Sequence, residues 1–280
     1  MSYPSWLIKK EPKSANIKKI RALVNDESIH TVCESAKCPN IGECYSKNTV
    51  TFMILGNTCT RKCRFCAVSK GPAEAPDRKE PSKIAAAAEK LGLKYVVITS
   101  VTRDDLPDGG AAHFSETIKS VKNAPLKPKT EVLIPDLQGS EQSLAVVVNA
   151  RPDVLNHNLE TVQRLYAQIR PQADYKRSLN VLKTAKKLNN SLYTKSGIMV
   201  GLGEKREEVI SLMEDLRKAD CDILTIGQYI RPSKDQVEVA EFVKPEIFEG
   251  YEQAGRKLGF KKVFSGPFVR SSYKASEIYV

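Results

Sequence analysis

From Thr49 onward, short apolar runs of strand length alternate with longer stretches whose apolar positions recur at helical spacing. Thr51-Phe-Met-Ile-Leu55 is β-prone and stops at Gly56-Asn57. Pro81–Leu91 reads as a helix, with proline early and Gly92 just past its end. Tyr95–Thr99, Thr130–Ile134, Asp153–Asn156, Thr194–Val200 and Asp222–Ile226 are the following strand candidates. Between them lie helical patterns at Phe114–Val121, Ser140–Asn149, Ser178–Leu188 and Glu207–Ala219. Six strands alternating with helices specify parallel βαβ units with right-handed crossovers. The fold class is therefore α/β. Six units fit an open, partial (β/α)6 TIM-like barrel better than a complete eightfold one. A doubly wound sheet competes, and the alternation alone does not separate the two.

The flanks read differently. Residues 1–48 are polar and Lys-rich, with a short amphipathic helix expected at Ile17–Val24 and a loop from Ser35 to Ser46, broken by Pro39-Asn40 and Gly42. Beyond Phe242 come a helix (Glu246–Leu258), an apolar segment around Val263-Phe264 and a tail, Gly266-Pro-Phe-Val-Arg-Ser-Ser-Tyr273. The expected organisation is an extension over 1–48, a barrel over 49–240 and a C-terminal extension over 241–280. No internal repeat or low-complexity tract interrupts it.

Composition narrows the function. The 280 residues hold 44 Lys+Arg against 33 Asp+Glu, a net charge of +11, which suits an acidic partner or a merely basic surface. Nucleic acid is not expected, because no run of five or six basic residues occurs and aromatics are only 7%. Apolar runs such as Leu144–Val148 fall far short of the about 18 residues a membrane span needs. The first ten residues show no export signal, so cytosol is the default. The 7 cysteines are odd in number, and six lie between Cys33 and Cys66, which argues for a local purpose in a reducing compartment.

Cys59-Thr-Arg-Lys-Cys63-Arg-Phe-Cys66 directly follows the first strand candidate. A core stripe would be mostly Leu, Ile or Val, not cysteine interleaved with Arg and Lys. Zinc usually takes four N/S ligands, and this segment holds a single C-x2-C with no nearby histidine. Three soft thiolates without a fourth suit an iron–sulfur cubane with one iron left open. Cys33-x4-Cys38-x5-Cys44 has offsets that repeat on neither a helix nor a strand face, so these thiols converge only through loop geometry.

The C-x3-C-x2-C run after strand one resembles the signature of the radical S-adenosylmethionine (SAM) enzymes. Paired with C-x4-C-x5-C and with Arg270-Ser271-Ser272-Tyr273, it resembles the lipoyl synthase family in particular. Further similar stretches are Thr99–Gly110, Val132–Asp136, Asn156–Thr161, Gly197–Glu204 and Leu224–Tyr229, so the likeness runs from about Ile29 to Tyr273. Thr102 departs from the family's usual Asn, and Lys205 from its common Thr. The resemblance implies a radical SAM barrel whose C-terminal tail closes over the site. It implies two [4Fe–4S] clusters: one on Cys59, Cys63 and Cys66 that binds SAM, and an auxiliary one on Cys33, Cys38, Cys44 and the Ser272 oxygen. The implied reaction inserts two sulfurs from the auxiliary cluster into an octanoyl-lysine. The implied partners are octanoylated carrier domains (2-oxoacid dehydrogenase E2 or glycine cleavage H protein), a low-potential donor such as ferredoxin or flavodoxin, and an Fe–S carrier for reassembly.

A serine oxygen is a harder ligand than a thiolate and releases iron more readily, and Arg270 can favour its anionic form. Read alone, Ser272 is an ordinary polar tail residue. Asn156, His157, Asn158 and Glu160 follow a strand and so lie at the mouth where barrel sites sit. Asn158 or Glu160 can bond the SAM ribose, or Asn158 can cap a helix. Thr99, Ser100 and Arg103 are expected to orient SAM or substrate, with Asp104 and Asp105 capping or pairing with Lys. Arg177 and Arg231 are candidate substrate contacts. Cys221 reads as a buried, unreactive strand residue.

Overall fold

The computed structural model describes residues 3–9, 12, 14–26 and 28–279. The strands are β1 (His30–Thr31), β2 (Thr51–Ile54), β3 (Thr58–Cys59), β4 (Ser69–Lys70), β5 (Tyr95–Ser100), β6 (Lys129–Leu133), β7 (Val154–Asn156), β8 (Tyr193–Val200), β9 (Ile223–Gln228) and β10 (Lys262–Gly266). The main sheet runs β1-β2-β5-β6-β7-β8-β9-β10, and β3 with β4 forms a small ladder in the loop after β2. Every main-sheet pairing is parallel except β1 with β2. Spatial order follows chain order without reversal. A doubly wound sheet would reverse, so the winding is that of an open barrel. β2 and β9 are buried at every position, as expected of strands covered on both faces.

Local chemistry sets the helix limits. Ser140 accepts from Ser143 N–H at 3.1 Å to cap Glu141–Asn149, and Asp174 accepts from Arg177 N–H at 2.7 Å to cap Tyr175–Leu188. Pro81 and Pro245 sit in the first turns of Glu80–Lys90 and Pro245–Lys257. No helix among the described residues is long and apolar enough to cross a membrane.

Two expectations are corrected. The segment read as a loop, Ser35 to Ser46, holds parts of two short helices, Val32–Ser35 and Ile41–Ser46, the first capped by the Thr31 side chain. Breakers at Pro39 and Gly42 hid them, because the helices have only 4 and 6 residues, fewer than two turns each. The apolar segment at Val263-Phe264 is β10, a parallel strand registered on β9 through Val263↔Leu224. Flanking lysines and its brevity masked it.

Polar groups fix the sheet interior. Lys195 Nζ donates to Glu131 Oε1 at 2.8 Å with both side chains fully buried, and Tyr95 O–H donates to Glu131 Oε2 at 2.7 Å. Replacing Lys195→Met strands a buried carboxylate, and we expect a loss of about 3–5 kcal/mol in urea unfolding. The double change Lys195→Met/Glu131→Gln should recover part of it.

One device repeats at the start of β7 and of β9. Asp153 accepts from Thr130 N–H at 2.9 Å, and Asp222 accepts from Thr194 N–H at 3.0 Å. Burial alone would raise the Asp222 carboxyl, but the hydrogen bonds from Lys186, Thr194 and Lys261 outweigh it and hold the group below its ordinary range. Asp153 is likewise held low by Lys129, Thr130 and Lys122 against its burial. Both folded pKa values lie below the unfolded value of about 3.9, so their stabilisation is present above that pH and is lost as pH falls from there through the folded values. Asp222→Asn should flatten the loss of unfolding free energy between roughly pH 5 and 3.

Candidate functional site

The loops after the strands surround a cavity of ≈ 330 Å³. Five of the six clustered cysteines line it, Cys33 and Cys38 from the first trio and Cys59, Cys63 and Cys66 from the second, while Cys44 packs against the core outside the lining. Arg270, Ser271 and Ser272 of the tail lie between them in the same wall.

Short-range backbone bonds gather the first trio. Cys38 N–H donates to Cys33 O at 2.9 Å and Cys44 N–H to Asn40 O at 2.8 Å. In the second trio, Arg61 N–H and Thr102 N–H both lie 3.4 Å from Cys59 Sγ. Burial pushes the Cys33 and Cys66 thiols up to about 12 and Cys44 to about 11, and raises Cys63 as well. The neighbouring sulfurs that add to each shift belong to the same trio: Cys38 and Cys44 for Cys33, Cys63 and Cys59 for Cys66. The thiols thus form two groups, each internally coupled. Among the described residues no three His, Cys, Asp or Glu side chains converge on one metal ion. A cage in which each iron takes its own thiolate asks for ligands spread along a wall, and a soft three-sulfur donor set fits it.

Ser272 belongs with the first trio. Thr51 Oγ1 donates to Ser272 Oγ at 2.9 Å, and Thr51 also bonds Cys33 through its backbone and side chain. The tail reaches this position because Gly197 and Gly227 admit it. A Cβ on Gly227 would lie 2.0 Å from Val269 O, and one on Gly197 would lie 3.1 Å from Ser271 Oγ.

A latch fastens the tail from outside. Lys9 Nζ donates to Asn40 Oδ1 at 2.9 Å and to Glu43 Oε2 at 2.6 Å, and lies 4.3 Å from the Phe268 ring centroid and 5.5 Å from that of Tyr273. Asn40 Nδ2 donates to Phe268 O at 2.6 Å, and Tyr273 O–H to Glu43 Oε1 at 3.1 Å.

Most of the expected mouth residues share the wall. Thr99, Ser100, Asn158 and Glu160 all line it, and His157 does as well. Ser100 Oγ, His157 Nε2 and Asn158 Oδ1 are buried without a partner, so the wall presents unsatisfied polar atoms to whatever fills the cavity. His157 keeps its Nδ1 on Ile134 O at 2.9 Å, and burial pulls its pKa down to about 4. It is therefore neutral, with Nε2 as an acceptor. Glu160 takes a left-handed backbone (φ 65°), unusual for a non-glycine residue, and accepts from Asn158 Nδ2 at 3.0 Å. Burial raises its carboxyl against the pull of Arg170, Asn158 and Arg270.

Arg103 is placed elsewhere. It lies outside the cavity lining, forks onto Asp105 at 2.7 and 2.9 Å, and donates to Leu55 O at 3.3 Å, so it fixes the turn that leaves β2. Asp104 pairs with Arg61 at 2.7 Å rather than with a lysine. Arg177 bonds Asp136, and Arg231 spends its donors on Gln236 O, Lys234 O and Glu238. Cys221 is fully buried, as expected, but it precedes β9 by two residues rather than lying in a strand. The sequence reading overlooked Arg61 and Arg170. Arg61 ties the cysteine loop to the mouth through Asp104 and Asp136, and its place between Cys59 and Cys63 was the available signal. Arg170 Nη1 donates to Asn158 O at 3.1 Å and Leu159 O at 3.0 Å, and no local pattern marks it.

The profile of the radical SAM superfamily matches residues 53–216, more than half of the chain. The chain is 57% identical over 272 residues to a lipoyl synthase of Caldanaerobacter subterraneus subsp. tengcongensis, covering 97% of this chain and 95% of that one. It is 52% identical over 258 residues to a lipoyl synthase of Aquifex aeolicus, covering 92% and 94%. Among solved structures, it is similar to a methylornithine synthase (TM-score 0.57, 16% identity, covering 90% and 76%). It is also similar to a maturase of the [FeFe]-hydrogenase (TM-score 0.59, 14% identity, covering 89% and 66%). At those identities the structural likeness is one of fold.

The latch makes a prediction that needs no bound group. Lys9→Met removes the cation from two rings and two side-chain acceptors, contacts worth about 0.5–1 kcal/mol each at partly exposed sites. Hydrogen exchange read by mass spectrometry should show residues 268–273 exchanging roughly tenfold faster, with β8 unchanged.

Proposed function

The chain belongs to the lipoyl synthase family of the radical SAM superfamily, and from that premise we propose that it inserts sulfur at C6 and C8 of an octanoyl chain carried on a lysine of a carrier domain. The observation that carries this reading is the shared cavity, whose wall holds Cys33 and Cys38 of the first trio, all of the second trio, and Ser272. When bound, a [4Fe–4S] cluster on Cys59, Cys63 and Cys66 with SAM supplies a carbon radical strong enough for unactivated C–H bonds, and a second cluster on Cys33, Cys38, Cys44 and Ser272 supplies sulfur.

The protein's own residues bind, align and exclude water. His157 Nε2, Asn158 Oδ1 and the Glu160 carboxylate are acceptors, and they call for a ligand rich in N–H and O–H donors. SAM offers a ribose diol, an ammonium and an adenine amine, whereas an octanoyl-lysine arm offers one amide N–H. These acceptors, with Thr99 and Ser100, are therefore read as the SAM side of the wall. Arg170 holds the Asn158 and Leu159 carbonyls and so sets the angle of that segment. Met53, Phe65, Val101, Ile134 and Met199 give the cavity its apolar surface, suited to an alkyl chain and to the exclusion of water.

Ser272 accepts from Thr51, which leaves its own proton free to depart when the oxygen takes iron. Arg270 lies near Cys38 and Glu160, and its charge favours anionic ligands beside it. Both are proposed to act on the reacting groups, Ser272 as the releasable ligand and Arg270 as its electrostatic support.

Anaerobic turnover of an octanoyl-lysine peptide, followed by mass spectrometry, tests the reading. The expected product gains two sulfurs and loses two hydrogens. A wild-type protein that cleaves SAM and adds no sulfur would refute it, and sulfur added only to another acceptor such as dethiobiotin or RNA would reassign it. Ser272→Ala should keep 5′-deoxyadenosine formation while sulfur insertion falls ~10-fold or more. An undiminished yield would remove the serine's role.

A further inference from the structure

Acidic side chains on the loops around the cavity mouth are largely neutralised from within. Arg61 binds Asp104 and Asp136, Arg103 binds Asp105, and Arg231 binds Glu238. Five other cations on these loops are not. Lys37 and Lys70 are exposed and line the opening. Lys62 and Arg64 are exposed on either side of Cys63, and exposed Lys234 follows the lining residue Pro232 by two positions. None of these five side chains has a hydrogen-bond or ion-pair partner among the described residues. Exposed Glu74 and Asp235 are the carboxylates that remain against them, and Asp235 already accepts from Ser233 Oγ.

We propose that this cationic rim is the docking surface for an acidic face of the protein domain that bears the acyl-lysine arm, an inference that rests on the functional reading above. The reacting carbons must pass between the two trios, so the arm enters the cavity while its bearer stays at the mouth, against Lys37, Lys62, Arg64, Lys70 and Lys234. Unpaired exposed cations around a concave opening focus field outward and steer an anionic partner to it. A nucleic acid is the less fitting polyanion. The large aromatics exposed among the described residues, Tyr3 and Trp6, belong to the N-terminal segment, and of the half-exposed rings at the mouth Phe65 lines the cavity while Phe268 and Tyr273 are covered by Lys9, so the rim offers no open row of rings for stacking bases.

The test compares two substrates of one enzyme: an intact octanoylated carrier domain with an acidic face, and a short uncharged octanoyl-lysine peptide. The quantity read is the ratio of their kcat/KM values. For the wild type the ratio should fall several-fold as salt rises from about 0.05 to 0.3 M, because rim charges act on encounter. In Lys62→Glu/Arg64→Glu/Lys234→Glu the ratio should fall ~10-fold or more and lose its salt dependence. Lys234→Glu alone, remote in sequence from the cysteine loop, should shift the ratio in the same direction. A ratio unmoved by salt and by both variants would overturn the proposal. So would a random RNA oligomer that competes as strongly as the carrier domain. Should the wild type convert neither substrate, the functional reading fails on its own. The rim is then judged by the Kd of the carrier domain for the wild type against the triple variant, and equal values overturn it.

Discussion

The site depends on how closely the C-terminal segment approaches the barrel wall. At Gly227 a methyl group would sit 2.0 Å from Val269 O, so the backbone of the tail occupies the place of a side chain on β9. Gly197, on the neighbouring strand β8, leaves room for Asn158 and Ser271 in the same way. That approach brings Ser272 onto Thr51, and Thr51 is the residue that also bonds Cys33. Three segments far apart in sequence therefore meet on one threonine at the start of β2. Move the tail out by the width of a methyl group and the serine leaves the first trio, although every cysteine stays in place.

Desolvation explains why the cavity is costly to build without its contents. Burial holds several thiols well above the ordinary cysteine range, leaves Ser100, His157 and Asn158 atoms unpartnered, and keeps Glu160 in a left-handed backbone. Each is a local penalty that the fold carries elsewhere, in a sheet buried on both faces and in paired groups such as Lys195 with Glu131. Those of Ser100, His157, Asn158, Glu160 and the buried thiols of Cys33 and Cys66 share one cavity wall, as expected where a protein trades stability for a polar ligand site. Arg61 and Arg170 resolve the remaining conflict: each brings a positive charge and a set of donors to the loops that carry the cysteines and the Asn156–Glu160 segment.

The barrel was legible because its signal is periodic. The main-sheet strands from Thr51 to Gln228 each carry enough apolar residues to be seen against polar helices, whereas the two-residue strands β3 and β4 do not, and the main-sheet order then follows from crossover handedness. β10 escaped because a strand that completes an existing edge needs little hydrophobicity of its own, and Val263 is its one buried residue. The cysteines were legible as spacing, since the chemistry of three thiolates does not depend on the backbone that presents them. Arg103 lies outside the cavity lining for a local reason. Its position after a strand marks it as a mouth residue, yet Asp105, two residues on, turns its guanidinium back toward Leu55. The Lys9 latch leaves no trace in any pattern, because it joins residues more than two hundred positions apart through single polar contacts.

The way the tail is held bears on what it can do. Of residues 267–273 only Val269 is buried, and the rest are half-exposed, held by a cation over two rings and by hydrogen bonds to Asn40, Glu43 and Thr51. An apolar plug would bind the mouth more tightly, since burial of each large side chain contributes about 1.5–3 kcal/mol. It would also make opening a matter of exposing core. Polar contacts of this kind break singly and at small cost, which places the tail at the low-stability end of the structure while the barrel beneath it stays intact. If Ser272 serves as the releasable ligand proposed above, a segment held by many weak contacts suits that role better than one held by a single strong one.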